Sequence, residues 1–325
     1  MTKKSAIAAI FLALTASACL APSPTNLPPE AHNAALRYWM AFAEMQDPPA
    51  DNGVSELLEK TAAGEAAWDE AKLGPILDKN DSAIHIMQRA TKLPDCDWGL
   101  EYTLGPTASI AYAPRARVLA RLNTLYGIRL AAKGDHQAAV GSWLAGIRFS
   151  QDLAKGGTVI FALIAKTALL SNLHALTLAA EKGGLSAAEK TKVEIVLKAL
   201  PESGFDWSRA LSYEQNAIDI AIKNLKSAPD PEQYYLQLMG QPAPPDLARL
   251  SAPDIAAFTV VMSSAIDAMR KKPEDTKHQL PSLQKELDSL NLVYRQMIPS
   301  LTKINESRGQ IVDARQELLG LVSAK

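Results

Sequence analysis

Across the chain that follows its first thirty or so residues, apolar side chains recur at three- and four-residue spacing, the period of a helix with one buried face. No stretch sustains alternation of apolar and polar positions between Asn-Gly or Asp-Gly turns, so the pattern predicts an all-α protein. Predicted helices fall near 30–46, 54–62, 65–78, 80–92, 112–133, 135–155, 158–181, 186–199, 206–226, 231–239, 252–271, 280–298 and 300–323. Proline is absent between Pro114 and Pro201, and long helices can run uninterrupted there, which makes this window the candidate core. Asp51 or Asn52, and Asp81 or Ser82, stand where helix starts need a capping side chain. Ser186 with Glu189 forms a capping box, and Gly156-Gly157 and Gly183-Gly184 supply left-handed stops. Pro94 to Pro114 shows no period and reads as a long loop.

Gly240 to Pro253 holds four prolines in 14 residues and reads as a linker. Beyond it Leu280, Leu283, Leu287, Leu290, Tyr294, Met297, Leu301, Ile304, Ile311, Leu318 and Val322 form a seam at alternating three and four spacing, interrupted only by Arg308 and Arg315. Such a seam asks for a partner. Val293, Ile298, Val312 and Leu319 widen it, which favours a stripe facing the body over an intermolecular coiled coil, and Pro299 predicts a kink or hairpin. The expected architecture is an irregular, repeat-like array of antiparallel helical hairpins with a C-terminal long-helix pair. The segments are a signal peptide (1–18), a tether (19–29), the hairpin body (30–239), the linker (240–253) and C-terminal helices packing on the body (254–325).

The first residues read as an address. Lys3 and Lys4 precede an apolar run, Ala6 to Leu14, too short to cross a bilayer, and Ala16-Ser17-Ala18 offers a cleavage site before Cys19. Ala16-Ser17-Ala18-Cys19 also resembles the bacterial lipobox, in which the Cys is lipidated and begins the mature chain; Ala16 stands where that family usually has Leu. The resemblance implies lipidation of Cys19 and, because Leu20 replaces the Asp of inner-membrane retention, an outer-membrane location in a Gram-negative source. Ordinary cleavage would leave the protein periplasmic. Four prolines between Cys19 and Glu30 favour an extended spacer. Eleven residues give it on the order of 35 Å of reach.

Composition changes this picture little. Among 325 residues 47% are apolar, and 34 basic side chains face 35 acidic ones, which excludes wholesale disorder and gives no general attraction to nucleic acid. Cys19 and Cys96 are the only cysteines, so a lipidated Cys19 leaves Cys96 a single thiol.

The joint Lys133-Gly134-Asp135, with Gly127, Ala139, Trp143 and Gly146 around it, resembles one tetratricopeptide unit, which implies a tightly packed helical hairpin. His136 and Gln151 depart from that pattern, and no second unit follows at the same spacing. The order Asn33-Ala34-Ala35-x-x-Tyr38, then Cys96-Asp97-Trp98-Gly99, then long hairpins is similar to exported helical bacterial proteins without an assigned activity.

Thr158 to Ala180 is long enough to span a bilayer, but Lys166, Asn172 and His174 favour a buried central helix, with His174 a satisfied core residue. Asp95-Cys96-Asp97-Trp98, with Glu101 near it, is the most unusual cluster. Its carboxylates could bind a cation or act as acid and base, whereas the plainer account makes Trp98 a loop anchor and the aspartates turn caps. Glu214 and Asp219 read as residues of a solvated helix face. No zinc spacing, phosphate loop or nucleophile motif occurs, so no metal and no cofactor is expected. The sequence therefore points to a non-enzymatic binding or scaffold module at the cell envelope, held to the membrane by lipid, with a protein as partner, no nucleic acid and no readable oligomeric state. Two alternatives remain open: a hydrolase or lyase with Asp95, Asp97, Glu101 and His85 converging in a cleft, and a small-molecule carrier.

Overall fold

The computed structural model describes residues 32–323 except 109, 111, 246, 248 and 249. The address, the lipobox, the spacer and the first residues of the first predicted helix lie outside the described residues. Among those described, thirteen α-helices follow in order: α1 Ala34–Glu44, α2 Asn52–Ala62, α3 Glu70–Ala90, α4 Tyr112–Ala132, α5 His136–Ala154, α6 Val159–Glu181, α7 Ala187–Ala199, α8 Trp207–Ser227, α9 Pro231–Met239, α10 Ala252–Met269, α11 Gln279–Asp288, α12 Leu292–Met297 and α13 Leu301–Ser323. Short 3₁₀ segments occupy Tyr102–Thr107 and Glu274–Thr276. The described residues contain no β-strand, and the all-α expectation holds.

Local chemistry explains most boundaries. Asp51, Asp69, Asp135, Asp206 and Asp230 each accept a hydrogen bond from a backbone N–H in the first turn of the helix that follows, and Ser186 and Glu189 close their capping box. The stops at Gly157 (φ 100°) and Gly183 (φ 69°) are left-handed, as expected. Two boundaries differ from the sequence reading. The segments 65–78 and 80–92 form one helix, α3, and Asp81 and Ser82 lie inside it. Asn80, at the expected gap, is buried; it donates to the Ile76 carbonyl at 2.9 Å and accepts from the Gln46 amide at 2.8 Å. The segment 280–298 breaks instead. The Ser289 hydroxyl turns back on the Glu286 carbonyl at 2.7 Å, and Asn291 caps a new helix by accepting from Val293 N–H at 3.0 Å.

The central element is α6. It packs on α4, α5, α8 and α13, and although long and apolar enough to cross a membrane by length and composition, it buries its face inside the protein. Glycines set the closest approaches. A Cβ on Gly127 would lie 2.3 Å from the Trp143 indole, and one on Gly146 would lie 2.4 Å from Asn172, so α4, α5 and α6 meet at a separation only glycine permits. Polar groups between them are paired: Asn123 donates to the Ser142 carbonyl at 2.9 Å and Asn172 to the Ala168 carbonyl at 2.7 Å.

The C-terminal seam folds into a hairpin around Pro299, with α11 against α13, and α13 lies on α6 and α7. One apolar cluster runs from Ala34 to Val322, so the proline-rich connection joins helices of a shared core. The two arginines that interrupt the seam stay at its buried side. Arg308 is 1% exposed and reaches past the end of α10 to the carbonyls of Met269 (3.1 Å) and Lys271; Arg315 donates to Leu197 O of α7 at 2.8 Å. Arg115 does the same for α1 at Phe42 and Met45, and Arg148 for the exit of α3 at Pro94. These arginines satisfy helix-end carbonyls from a distance.

Candidate functional site

The Asp95–Trp98 loop is drawn in by its neighbours in space. Asn33, the N-cap of α1, donates to the Asp97 carbonyl at 2.8 Å and accepts from the Asp97 amide at 2.9 Å. Trp98 then enters the core, stacked on Tyr112 with ring centres 4.4 Å apart, and Tyr112 stacks on Phe161 at 4.8 Å. The Trp98 indole N–H donates to the carbonyl of Asp152 at 2.8 Å. Asp152 is fully buried on α5, and its carboxylate accepts from Tyr38 and Lys155, both at 2.9 Å. Burial, aided by the Asp152 charge, pushes the Cys96 thiol up to about 12. The thiol is therefore protonated and a poor nucleophile at neutral pH.

Asp95, Asp97 and Glu101 are exposed. Asp97 accepts from Gly99 N–H at 3.0 Å, which is a turn cap, and Asp95 accepts the Ala34 amide through its backbone. His85 sits on α3, 3.4 Å from Asp81 and 3.3 Å from the Tyr126 hydroxyl. No hydrogen bond or ion pair joins it to the three carboxylates.

A different place gathers polar groups around an apolar hollow. The helices α2, α4 and α6 all stop at the same end of the bundle, each on a glycine with positive φ: Gly64 (75°), Gly134 (83°) and Gly183 (69°). Carbonyls of their last turns are closed by the following amides, among them Glu65 N to Lys60 O at 2.8 Å, Asp135 N to Leu130 O at 3.0 Å and Gly184 N to Ala179 O at 2.9 Å. Helix α5 begins there with His136. Between these ends lies a half-open cleft of about 490 Å³ whose walls are mainly carbon, including Ile128, Ala131, Ala175 and Leu178. Trp68 and Trp143 line it too. Their N–H groups are committed elsewhere, to Glu70 at 2.7 Å and to the Thr124 carbonyl at 3.2 Å.

The polar lining comes from Thr61, Glu65, His136, His174 and Lys182. His174 corrects the sequence reading: it is exposed, and a Cβ on Gly64 would lie 2.9 Å from its Nε2, so the glycine lets the α2 stop close over the imidazole. Thr61 is 1% exposed, and its hydroxyl has no hydrogen-bond partner. Beside the cleft Arg129 clamps Glu70 through two nitrogens and Asp78 at 2.6 Å, and the Arg129 guanidinium holds the Glu70 carboxyl down at about 2. That clamp fixes the start of α3. The cleft residues lie far apart in sequence and match no motif; the glycines that stop three helices are the signal that could have led to them.

A second polar cluster surrounds the start of α6. Glu214, on α8, accepts from Val159 N–H at 3.2 Å and replaces the Thr158 side chain, which makes no capping bond. It is largely removed from solvent, and burial raises its carboxyl above the ordinary range. Glu214 is therefore a helix cap and no part of a solvated face.

Among the described residues no group of three or more His, Cys, Asp or Glu is placed to hold a metal ion. No protein-family model matches the chain, and neither a curated protein nor a solved structure matches it.

Proposed function

We propose that this chain is an exported, lipid-anchored binding module of the cell envelope, and that its binding site is the cleft where α2, α4 and α6 stop. The observation that carries this reading is the cleft itself. At about 490 Å³ it has the size of small-ligand sites, its walls are apolar, and a few polar groups converge on it. The ligand class it suits is a small molecule with an apolar body, the carrier role among those the sequence left open. Export and anchoring are supported by Lys3, Lys4, the apolar run and the Ala16–Cys19 sequence. Asp95, Asp97, Glu101 and His85 take no part in it.

Two experiments test the reading. Titration with decanol, followed by tryptophan fluorescence, is expected to saturate and to report on Trp68 and Trp143. Ala179→Trp, which fills the cleft from α6, is expected to weaken binding at least tenfold with an unchanged far-ultraviolet circular dichroism spectrum. Equal binding by that variant would remove the cleft as the site. For the anchor, mass spectrometry of the envelope-purified protein is expected to find an acylated Cys19 as first residue, and Cys19→Ser is expected to release the protein from the membrane fraction.

A further inference from the structure

The charged and polar side chains of the cleft are the Lys182 ammonium, the imidazoles of His136 and His174, and the Glu65 carboxylate. His136, His174 and Lys182 each bring an N–H group, and among the described residues none of their side chains makes a hydrogen bond or ion pair. Part of the acceptor set that the helix ends present is engaged: Gly64 N–H closes on Thr61 O at 3.1 Å, Gly134 N–H on Ala131 O at 3.0 Å and Gly183 N–H on Ala180 O at 3.1 Å. Asp135, next to His136, spends its carboxylate on Ala138 N–H at 3.0 Å. Glu65 is the one carboxylate of the lining, and it is exposed on the turn after α2.

We infer that the cleft selects a ligand with a carboxylate head on an apolar body. The inference rests on the cleft being the binding site. A carboxylate is an acceptor without donors, and its two oxygens suit the N–H groups of the two imidazoles and the Lys182 ammonium. The carbon walls from α4 and α6 take the body, with Trp68 and Trp143 adding ring surface at either side. Three helix C-termini at one place would favour a cation through their dipoles. The glycine stops engage the Thr61, Ala131 and Ala180 carbonyls, and Lys182 sets an ammonium against this effect at the α6 end itself.

The test compares three ligands of one chain length on the full protein: decanoate, decanol and decyltrimethylammonium, each titrated by calorimetry. Decanoate is expected to bind at least tenfold tighter than decanol, and the cation weakest. His174→Leu and Lys182→Met are expected to bring decanoate to the level of decanol while leaving decanol binding unchanged. Equal affinity of decanoate and decanol, or tighter binding of the cation, would overturn the carboxylate selection and leave the cleft standing as an apolar site. Binding of all three unchanged by Ala179→Trp would instead remove the site itself.

Discussion

Arg308 shows how one residue can break a sequence pattern and still belong to the core. Its burial pushes the guanidinium down to about 10, which leaves it charged at neutral pH, and its N–H groups satisfy carbonyls beyond α10. Arg308→Met keeps the volume but strips those carbonyls. The expected loss is about 2–3 kcal/mol, read as a lower denaturant midpoint with an unchanged slope. Cys96 and the buried tyrosines set the response to alkali. Burial holds Cys96, Tyr102 and Tyr294 up at about 12, and burial beside Asp152 raises Tyr38 well above its ordinary value. These groups prefer the neutral form when folded, so the stability they give is complete below their unfolded values and is lost as pH climbs toward 12. Unfolding midpoints are therefore expected to be flat from about pH 7 to 8.5 and to fall above about 9, with a shallower fall in Cys96→Ser. A flat profile to pH 11 would contradict this assignment.

Among elements, the start of α6 and the α4–α5 hairpin are the most exposed to single substitutions. Glu214 has its carboxyl raised by burial, so its contribution is fully present below the unfolded value and declines as pH rises through the folded one. Glu214→Gln keeps an acceptor for Val159 N–H and removes the buried charge. It is expected to be at least as stable as the parent at pH 7 and to lose the dependence on pH, whereas Glu214→Ala should cost about 1 kcal/mol through the lost cap. Thermal melts at pH 4.5 and 7 separate the two. In the hairpin, Gly127→Ala drives a methyl into the Trp143 indole and is expected to cost about 1–3 kcal/mol. Gly141→Ala, with nothing near its added methyl, serves as the control and should be neutral or mildly stabilising.

For the whole molecule, the question is whether the proline-rich connection separates two folding units. The apolar cluster continues through it, and α13 covers α6 and α7. A chain ending at residue 239 is therefore expected to lose its cooperative melt and to bind a hydrophobic dye, because the faces of α6, α7 and α8 lose their cover. A truncated chain that melted as sharply as the parent, at the same temperature, would mean the C-terminal helices fold apart.

The sequence by itself determined the helices, because periodicity, N-caps and glycine stops act over a few residues. Asp51, the Ser186–Glu189 box, Gly157 and Gly183 were legible for that reason. It also marked the two places where neighbours in sequence disagree, Asp95–Trp98 and the seam with Arg308, without saying what would resolve them. Those answers came from partners far along the chain: Asn33 and Asp152 for the loop, and the end of α10 for the arginine. The misjudged boundaries have the same origin, since Asn80 stays helical by holding the exit of α1. The cleft belongs wholly to the tertiary structure. His136, His174, Thr61 and Lys182 acquire a common surroundings only when three separately stopped helices end at one level of the bundle, and no local spacing records how helices align end to end.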